Sequence, residues 1–597
     1  MSEYIAPVRD MQFVLRELAG LEQVAQLPGC EEATPDLVDA VLEEAARFAE
    51  EVLSPLNWPG DQEGARWHNK TVTMPAGFKE AYKLFADSGW TALSSEPEWG
   101  GQGLPKVVAA AVGEMWKSAN HSFSLCPLLT SGAIEALVLS GSDELKRTYI
   151  EKMVSGVWTG TMNLTEPNAG SDLAAVRTRA EPQADGSYRI FGQKIFITYG
   201  EHDMAENIIH LVLARTPTAP EGVKGISLFV VPKFMVNANG TLGERNDAYC
   251  VSIEHKLGIH ASPTAIMAFG DHAGAVGYLV GEENRGLEYM FIMMNAARFG
   301  VGLEGVAACE RAYQRARDYA RDRIQCTDIG VRGGAKVPII RHPDVRRMLM
   351  TMKSRAEATR ALAYVVAAAH DAAVHHPDAG ERKRNQAFVD LMIPVVKGWS
   401  TESGVSMASI GVQVHGGMGY VEETGAAQHL RDAQISTIYE GTTGIQANDL
   451  IGRKMAREGG ATLQAVIGLM RGVAGELGGC PGDDFVALQR RFSVAIDALA
   501  EAGEWLVANY GKDVRAASAG AVPFLMLLGV VAGGWQMARA ALVAQAKIDA
   551  GDADPFYPAK IGTARFYADH VLSQASGLAS SVADGAAGVL ALPEDMF

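Results

Sequence analysis

The sequence predicts a mostly helical α+β protein in which one compact β domain is set between helical blocks. Three observations predict it. Before about residue 158 apolar side chains recur at helical spacing, with Val38, Val41, Leu42 and Ala45 as one stripe and Phe78, Tyr82, Leu84 and Phe85 as another. Between about 159 and 280 the texture changes to short β-branched runs bounded by Gly, Pro and Asn, such as Ile208-Ile-His-Leu-Val-Leu-Ala and Ile226-Ser-Leu-Phe-Val-Val. From Leu287 helical spacing returns in long Ala- and Arg-rich segments such as Val345 to Ala373, which suit antiparallel packing.

These changes divide the 597 residues, too many for one hydrophobic core, into five stretches. Residues 1–35 form an N-terminal extension that ends in turn chemistry at Pro28-Gly29 and Pro35. Residues 36–158 form a helical domain, 159–280 the middle β domain, 281–460 a helical domain with the candidate base, and 461–597 an additional helical block. No repeat of fixed period runs through them.

A formal net charge of −17 argues against a protein that binds the phosphate backbone of nucleic acid, which needs a basic surface. The six cysteines are scattered, with no C-x-x-C pair and no zinc spacing, so no metal site is expected and reduced thiols in the cytoplasm are the simplest reading. The first ten residues lack a basic stretch followed by an apolar one, so no signal peptide is expected. Ala519 to Trp535 is uncharged, but it contains Pro523 and is short for a membrane span; a buried bundle helix is expected there.

Gly300-Val-Gly-Leu-Glu-Gly305 matches the dinucleotide pattern G-x-G-x-x-G. It follows helix rather than strand, so close helix packing through small residues explains it better. No P-loop, zinc-protease helix or nucleophile elbow is present. Four other stretches remain: Leu164-Thr-Glu-Pro-Asn-Ala-Gly-Ser-Asp172, Gly192-Gln-Lys-Ile-Phe-Ile-Thr-Tyr-Gly200, Gln413-Val-His-Gly-Gly-Met-Gly419 and Ile438-Tyr-Glu-Gly-Thr-Thr443. Each alone reads as a turn or a cap. In this order, inside a helix–β–helix pattern, they resemble the acyl-CoA dehydrogenase family over roughly residues 36–455, and the extended layout resembles its large bacterial branch.

That resemblance implies FAD as cofactor and an acyl-CoA thioester as substrate. Met162, Leu164 and Thr165 would lie against the isoalloxazine, and Phe196, where many members carry Trp, would flank it with Thr198. Arg323, with Gln325, would reach the FAD pyrophosphate across a homodimer or dimer of dimers. Gln413, Gly416 and Gly417 would let main chain approach the adenosine of a neighbouring subunit, and Thr442 and Gly444 supply further contacts. The chain departs from the family at Cys326, where an aromatic is usual, in an insertion from Thr327 to Pro338, and at Pro343. Ser171 would meet CoA or close a turn, and Asn295 and Arg298 are further CoA candidates.

The resemblance also implies the reaction, α,β-dehydrogenation to a 2-enoyl-CoA. A carboxylate takes the α-proton, the β-hydrogen leaves as hydride to flavin N5, and donors on the thioester oxygen stabilise the enolate. Glu440 fits that carboxylate, with Gly441 leaving room for the thioester, and burial beside the flavin would raise its pKa. Members with the base elsewhere carry it just before an arginine matching Arg298; here that residue is Ala297, which cannot accept a proton. Arg453 would help hold the loop bearing Glu440. The electrons are expected to pass to an electron-transfer flavoprotein. An acyl-CoA oxidase shares fold and base, and a DNA-binding relative without activity is opposed by the charge and the intact Tyr439-Glu440-Gly441-Thr442. The acyl group is left open between 3-methylthiopropionyl and fatty acyl.

Overall fold

The computed structural model describes residues 4–597, and the chain forms two compact units. The β unit comprises Arg47–Leu104 and Ala119–Ala297; the helical unit comprises the chain up to Ala46, Pro105–Ser118 and Arg298–Phe597.

In the β unit, β1 (Arg66–His68) and β2 (Thr71–Thr73) make a small hairpin that the helical spacing of this region did not announce. The main sheet is built from β3 (Trp158–Asn163), β4 (Arg179–Pro182), β5 (Tyr188–Thr198), β6 (Asn207–Ala214) and β7 (Ser227–Pro232). After a side hairpin of β8 (Phe234–Val236) and β9 (Leu242–Arg245) it is completed by β10 (Ala248–Ile253), β11 (Thr264–Phe269) and β12 (Ala275–Val280). Its order is β10-β11-β5-β12-β7-β6-β3, with β4 beside β5; only β3 and β6 pair in parallel. Strands β3, β6 and β7 are buried along their whole length, and β6 and β7 accordingly read as mostly apolar runs rather than alternations. The helix His121–Ser140 covers β3, and a Cβ at Gly160 would come within 2.6 Å of Ala133.

Strand β5 carries a bulge. Thr198 and Ile197 pair with Thr264 and Ala265, but Lys194 already pairs with Met267, and Phe196 has φ 60°. Strict alternation would put Lys194 on the exposed face with Phe196 and Thr198; the bulge turns it inward instead. There Lys194, wholly buried, donates to Glu166 Oε1 at 2.8 Å and to the Leu164 carbonyl at 3.0 Å.

In the helical unit the helices Pro343–His375 and Ala379–His415 pack as a long antiparallel pair. The helix Gly286–Asp322, from residue 298 onward, lies against the second of them. Glycines make that approach possible, since a Cβ at Gly302 would meet Val396 at 2.6 Å and one at Gly305 would meet Ser400 main chain at 2.3 Å. Helix packing thus accounts for the G-x-G-x-x-G match. The insertion expected at Thr327 to Pro338 forms an exposed two-stranded arm, Ile324–Thr327 with Lys336–Pro338.

The 461–597 block is a helical layer on this pair. Its helix Ala521–Asp549 and the helix His121–Ser140 of the β unit are each long and apolar enough to cross a membrane, yet 83% and 67% of their apolar stretches are buried in protein. Gly529 and Gly533 receive the Trp399 ring, where a Cβ would lie 2.2 and 2.5 Å from it. Buried charges tie the layer to the rest. Arg360 binds Glu114 at 2.6 Å, Glu310 at 2.8 Å and Asp10 at 2.7 Å. Lys560, from the block, reaches Glu357 at 2.9 Å and also pairs with Asp10.

Candidate active site

Glu440 stands at the junction between a short 3-10 turn, Gln434–Thr437, and the helix Thr443–Asp449. Its backbone is left-handed, φ 55°, and Gly441 follows at φ 93°. A non-glycine residue held there stores about 1–3 kcal/mol of strain, which the surrounding contacts must sustain. They do so through main chain. Lys397 Nζ donates to the Gly441 carbonyl at 2.7 Å, and Gln446 Nε2 donates to the carbonyls of Glu440 at 3.1 Å and Gly441 at 3.3 Å. Tyr439 donates its hydroxyl to Glu304, and Thr443 donates to Glu402 at 2.6 Å. Gly441 is therefore required by its own φ and by Gln446, which a Cβ would meet at 2.8 Å, a constraint separate from any room left for substrate.

Burial pushes the Glu440 carboxyl up to about 7, helped by the charge of Glu304 and opposed by Arg298 and Lys397. Burial likewise brings Lys397 down to about 8 against the pull of Glu304, Glu440 and Glu402. Arg298 is buried and lies 3.5 Å from Asp449, which also accepts from Arg453 Nε at 2.5 Å. Arg453 is thus joined to Arg298 through Asp449, at the far end of the helix that follows Glu440.

In the β unit, Thr165 and the bulged strand are neighbours: Ile195 N donates to the Thr165 carbonyl at 2.9 Å. Phe196 is a large apolar side chain left 58% exposed beside that turn, with Thr198 on the same face. Met162 and Leu164 are buried in the apolar cluster of this unit. Glu166 fixes the turn. It accepts from Arg177 N at 2.7 Å and Thr178 Oγ1 at 2.6 Å besides pairing with Lys194. Ser171 sits exposed farther along the same loop, next to Asp172, which caps Ala174 N at 3.0 Å.

The remaining expected residues are scattered over exposed positions. Arg323 and Gln325 open the two-stranded arm, their carbonyls held by Ile339 N and His342 Nε2, each at 2.8 Å, while both side chains are exposed. Gln413, Gly416 and Gly417 are exposed where the 379–415 helix ends, and no atom lies within 4 Å of a Cβ built on either glycine. Thr442 caps the following helix through Ile445 N at 3.4 Å; Gly444 is half-buried in its first turn, and Asn295 is exposed.

Taken unit by unit, the chemistry suits parts of an FAD: in the β unit an exposed apolar ring at Phe196 beside the Thr165 turn suits a flat ring system, and in the helical unit open main chain at Gly416-Gly417 and an exposed arginine at 323 suit phosphate and adenosine. Sequence reasoning missed Lys397, Gln446, Glu304, Glu166 and Lys194. The last pair stood inside stretches already singled out; Lys397 showed only as a lone cation in the apolar run Ile393-Pro-Val-Val-Lys-Gly-Trp399.

Comparison with known proteins matches four family models in order. They are Acyl-CoA dehydrogenase, N-terminal domain (36–157), middle domain (161–271) and C-terminal domain (284–455), then Acetyl-CoA dehydrogenase C-terminal like (462–593). The chain is 52% identical to a 3-methylmercaptopropionyl-CoA dehydrogenase of Ruegeria pomeroyi, over 97% of this chain and 98% of that one. It is 37% identical to a broad-specificity linear acyl-CoA dehydrogenase of Mycobacterium tuberculosis, over 96% of each. The solved structure of an acyl-CoA dehydrogenase complexed with FAD from Bacillus anthracis shares the fold, at TM-score 0.74 and 20% identity over 98% of this chain and 93% of that one. The chain therefore belongs to the acyl-CoA dehydrogenase family, FAD-dependent oxidoreductases that convert acyl-CoA thioesters to enoyl-CoA.

Proposed function

We propose that this protein dehydrogenates 3-methylmercaptopropionyl-CoA, with Glu440 as the base that removes the α-proton. The observation that carries the chemistry is the Glu440 carboxyl, held on a strained dipeptide and poised at about 7. A base with that affinity is ionised in about half of the molecules at neutral pH and is strong enough to take a proton from a thioester α-carbon. The backbone N–H of Glu440 serves as a donor to the thioester oxygen, where enolate charge develops. Arg298, buried and paired with Asp449, holds positive charge on the base's side of the site and favours its ionised form.

When bound, FAD accepts the β-hydrogen as hydride. Thr165, Phe196 and Thr198 would hold its ring system, with main chain of Met162 and Leu164. Arg323, Gln325, Gln413, Gly416, Gly417, Thr442 and Gly444 would serve its pyrophosphate and adenosine across a homodimer or dimer of dimers. Ser171, Asn295 and Arg298 are the CoA contacts. Electrons pass on to an electron-transfer flavoprotein, and the free thiols suit the reducing cytoplasm.

The substrate reading rests on the 52% identity to a relative named for that thioester. A second reading, unbranched acyl-CoA, is favoured by the 37% identity to a linear acyl-CoA enzyme. Anaerobic bleaching of the flavin by a panel of thioesters decides between them. The expected result is a kcat/KM for 3-methylmercaptopropionyl-CoA at least about tenfold above those of butyryl- and longer acyl-CoA, a preference of about 1.4 kcal/mol. Faster bleaching by a straight-chain thioester would favour the second reading.

A further inference from the structure

We infer that Lys397 is a positioning residue for the base: its buried ammonium clamps the Gly441 carbonyl and so holds the Glu440 carboxylate where proton transfer needs it. This rests on the reading of Glu440 as the base.

Three observations converge. Lys397 is wholly buried in an apolar run of the 379–415 helix, a place where a cation is costly without a partner. Its side chain directs its hydrogen bond, 2.7 Å, to a main-chain carbonyl immediately after the base rather than to a carboxylate. That carbonyl belongs to a dipeptide with two consecutive left-handed φ values, 55° and 93°, a conformation that relaxes unless something outside the loop retains it. Gln446 shares the task from within the following helix, with donors to both carbonyls, but it brings no charge and moves with the loop. Lys397 is anchored on a separate long helix and supplies the fixed reference.

The charges around Glu440 come from every neighbouring element of the helical unit. Arg298 and Glu304 lie on the 286–322 helix, and Lys397 and Glu402 on the 379–415 helix. Lys117, facing Glu304, comes from the Lys106–Ala119 helix. Asp449 ends the 443–449 helix and Arg453 follows it, and the Tyr439 hydroxyl is held by Glu304. Two cations, Arg298 and Lys397, act directly on the base and one carboxylate opposes them. Removing Lys397 leaves Arg298 alone against Glu304, so the base holds its proton to higher pH.

The test compares Lys397→Met, Lys397→Arg and Gln446→Met as purified FAD-loaded enzymes, with Glu440→Gln as control. In wild type the acid limb of the kcat/KM profile is expected near pH 7, set by the base at about 7. Lys397→Met should lower kcat at least about tenfold with little change in KM and move that limb up by about one pH unit. Lys397→Arg should restore the limb, and Gln446→Met should lower kcat without moving it. A Lys397→Met enzyme with kcat within about twofold of wild type and an unmoved limb would overturn the inference. If Lys397→Met fails to fold, Lys397→Arg decides: a displaced limb in that variant overturns it. Should Glu440→Gln keep its turnover, the base assignment itself is at fault, whatever Lys397 does.

Discussion

Glu440→Gln leaves a folded, FAD-loaded protein whose turnover falls at least about a hundredfold. The amide matches the carboxylate in shape but cannot accept a proton at neutral pH. The contacts that hold the loop are made to main chain, by Lys397 on Gly441 O and Gln446 on Glu440 O and Gly441 O, so the substitution leaves them in place. It also removes a buried carboxyl whose ionised form is disfavoured by desolvation, so no loss of stability is expected. Ala297, beside Arg298, offers no substitute base. Steady-state rates with an artificial electron acceptor measure the effect, and activity within about tenfold of wild type would contradict the assignment.

Ending the chain after Glu458 keeps every expected flavin and substrate residue but abolishes soluble, FAD-loaded enzyme. The cut strips the Ala521–Asp549 helix from the face that carries Trp399, exposing a large apolar surface. It also removes Lys560, the partner of Glu357 at 2.9 Å and of Asp10, and breaking such a buried pair costs about 3–5 kcal/mol. The N-terminal extension also loses Arg539 to the Leu18 carbonyl at 2.8 Å, Lys547 to Glu17 at 2.9 Å and Asp554 to Arg9 at 3.0 Å, while Asp10 keeps Arg360. Soluble yield and size-exclusion profile report the outcome. A monodisperse, flavin-bound and active truncation would show the block to be dispensable.

The helix–β–helix order was legible because helical spacing persists over long stretches, as in the 343–375 helix, and gives way to short β-branched runs at the buried strands β6 and β7. The hairpin of β1 and β2 and the arm at 324–338 were not. Their strands are three or four residues long and mostly exposed, too short to establish a period. In the candidate site, Glu440 was singled out from its local sequence as the proposed base. Its support was not, because Lys397 and Glu304 lie 43 and 136 positions away on other helices and meet the loop only through the fold. The bulge in β5 defeated reading in another way: period two places Lys194 on the wrong face, and only the left-handed Phe196 returns it to Glu166.

The central claim, that Glu440 takes the α-proton, can be measured apart from oxidation by using an acyl-CoA with sulfur at the β-position, which has no β-hydrogen to lose. Wild-type holoenzyme is incubated with this thioester in deuterium oxide, and deuterium at the α-carbon is followed by mass spectrometry. The account predicts steady α-deuteration by wild type and none above the enzyme-free background with Glu440→Gln. Equal exchange by the two proteins would contradict it.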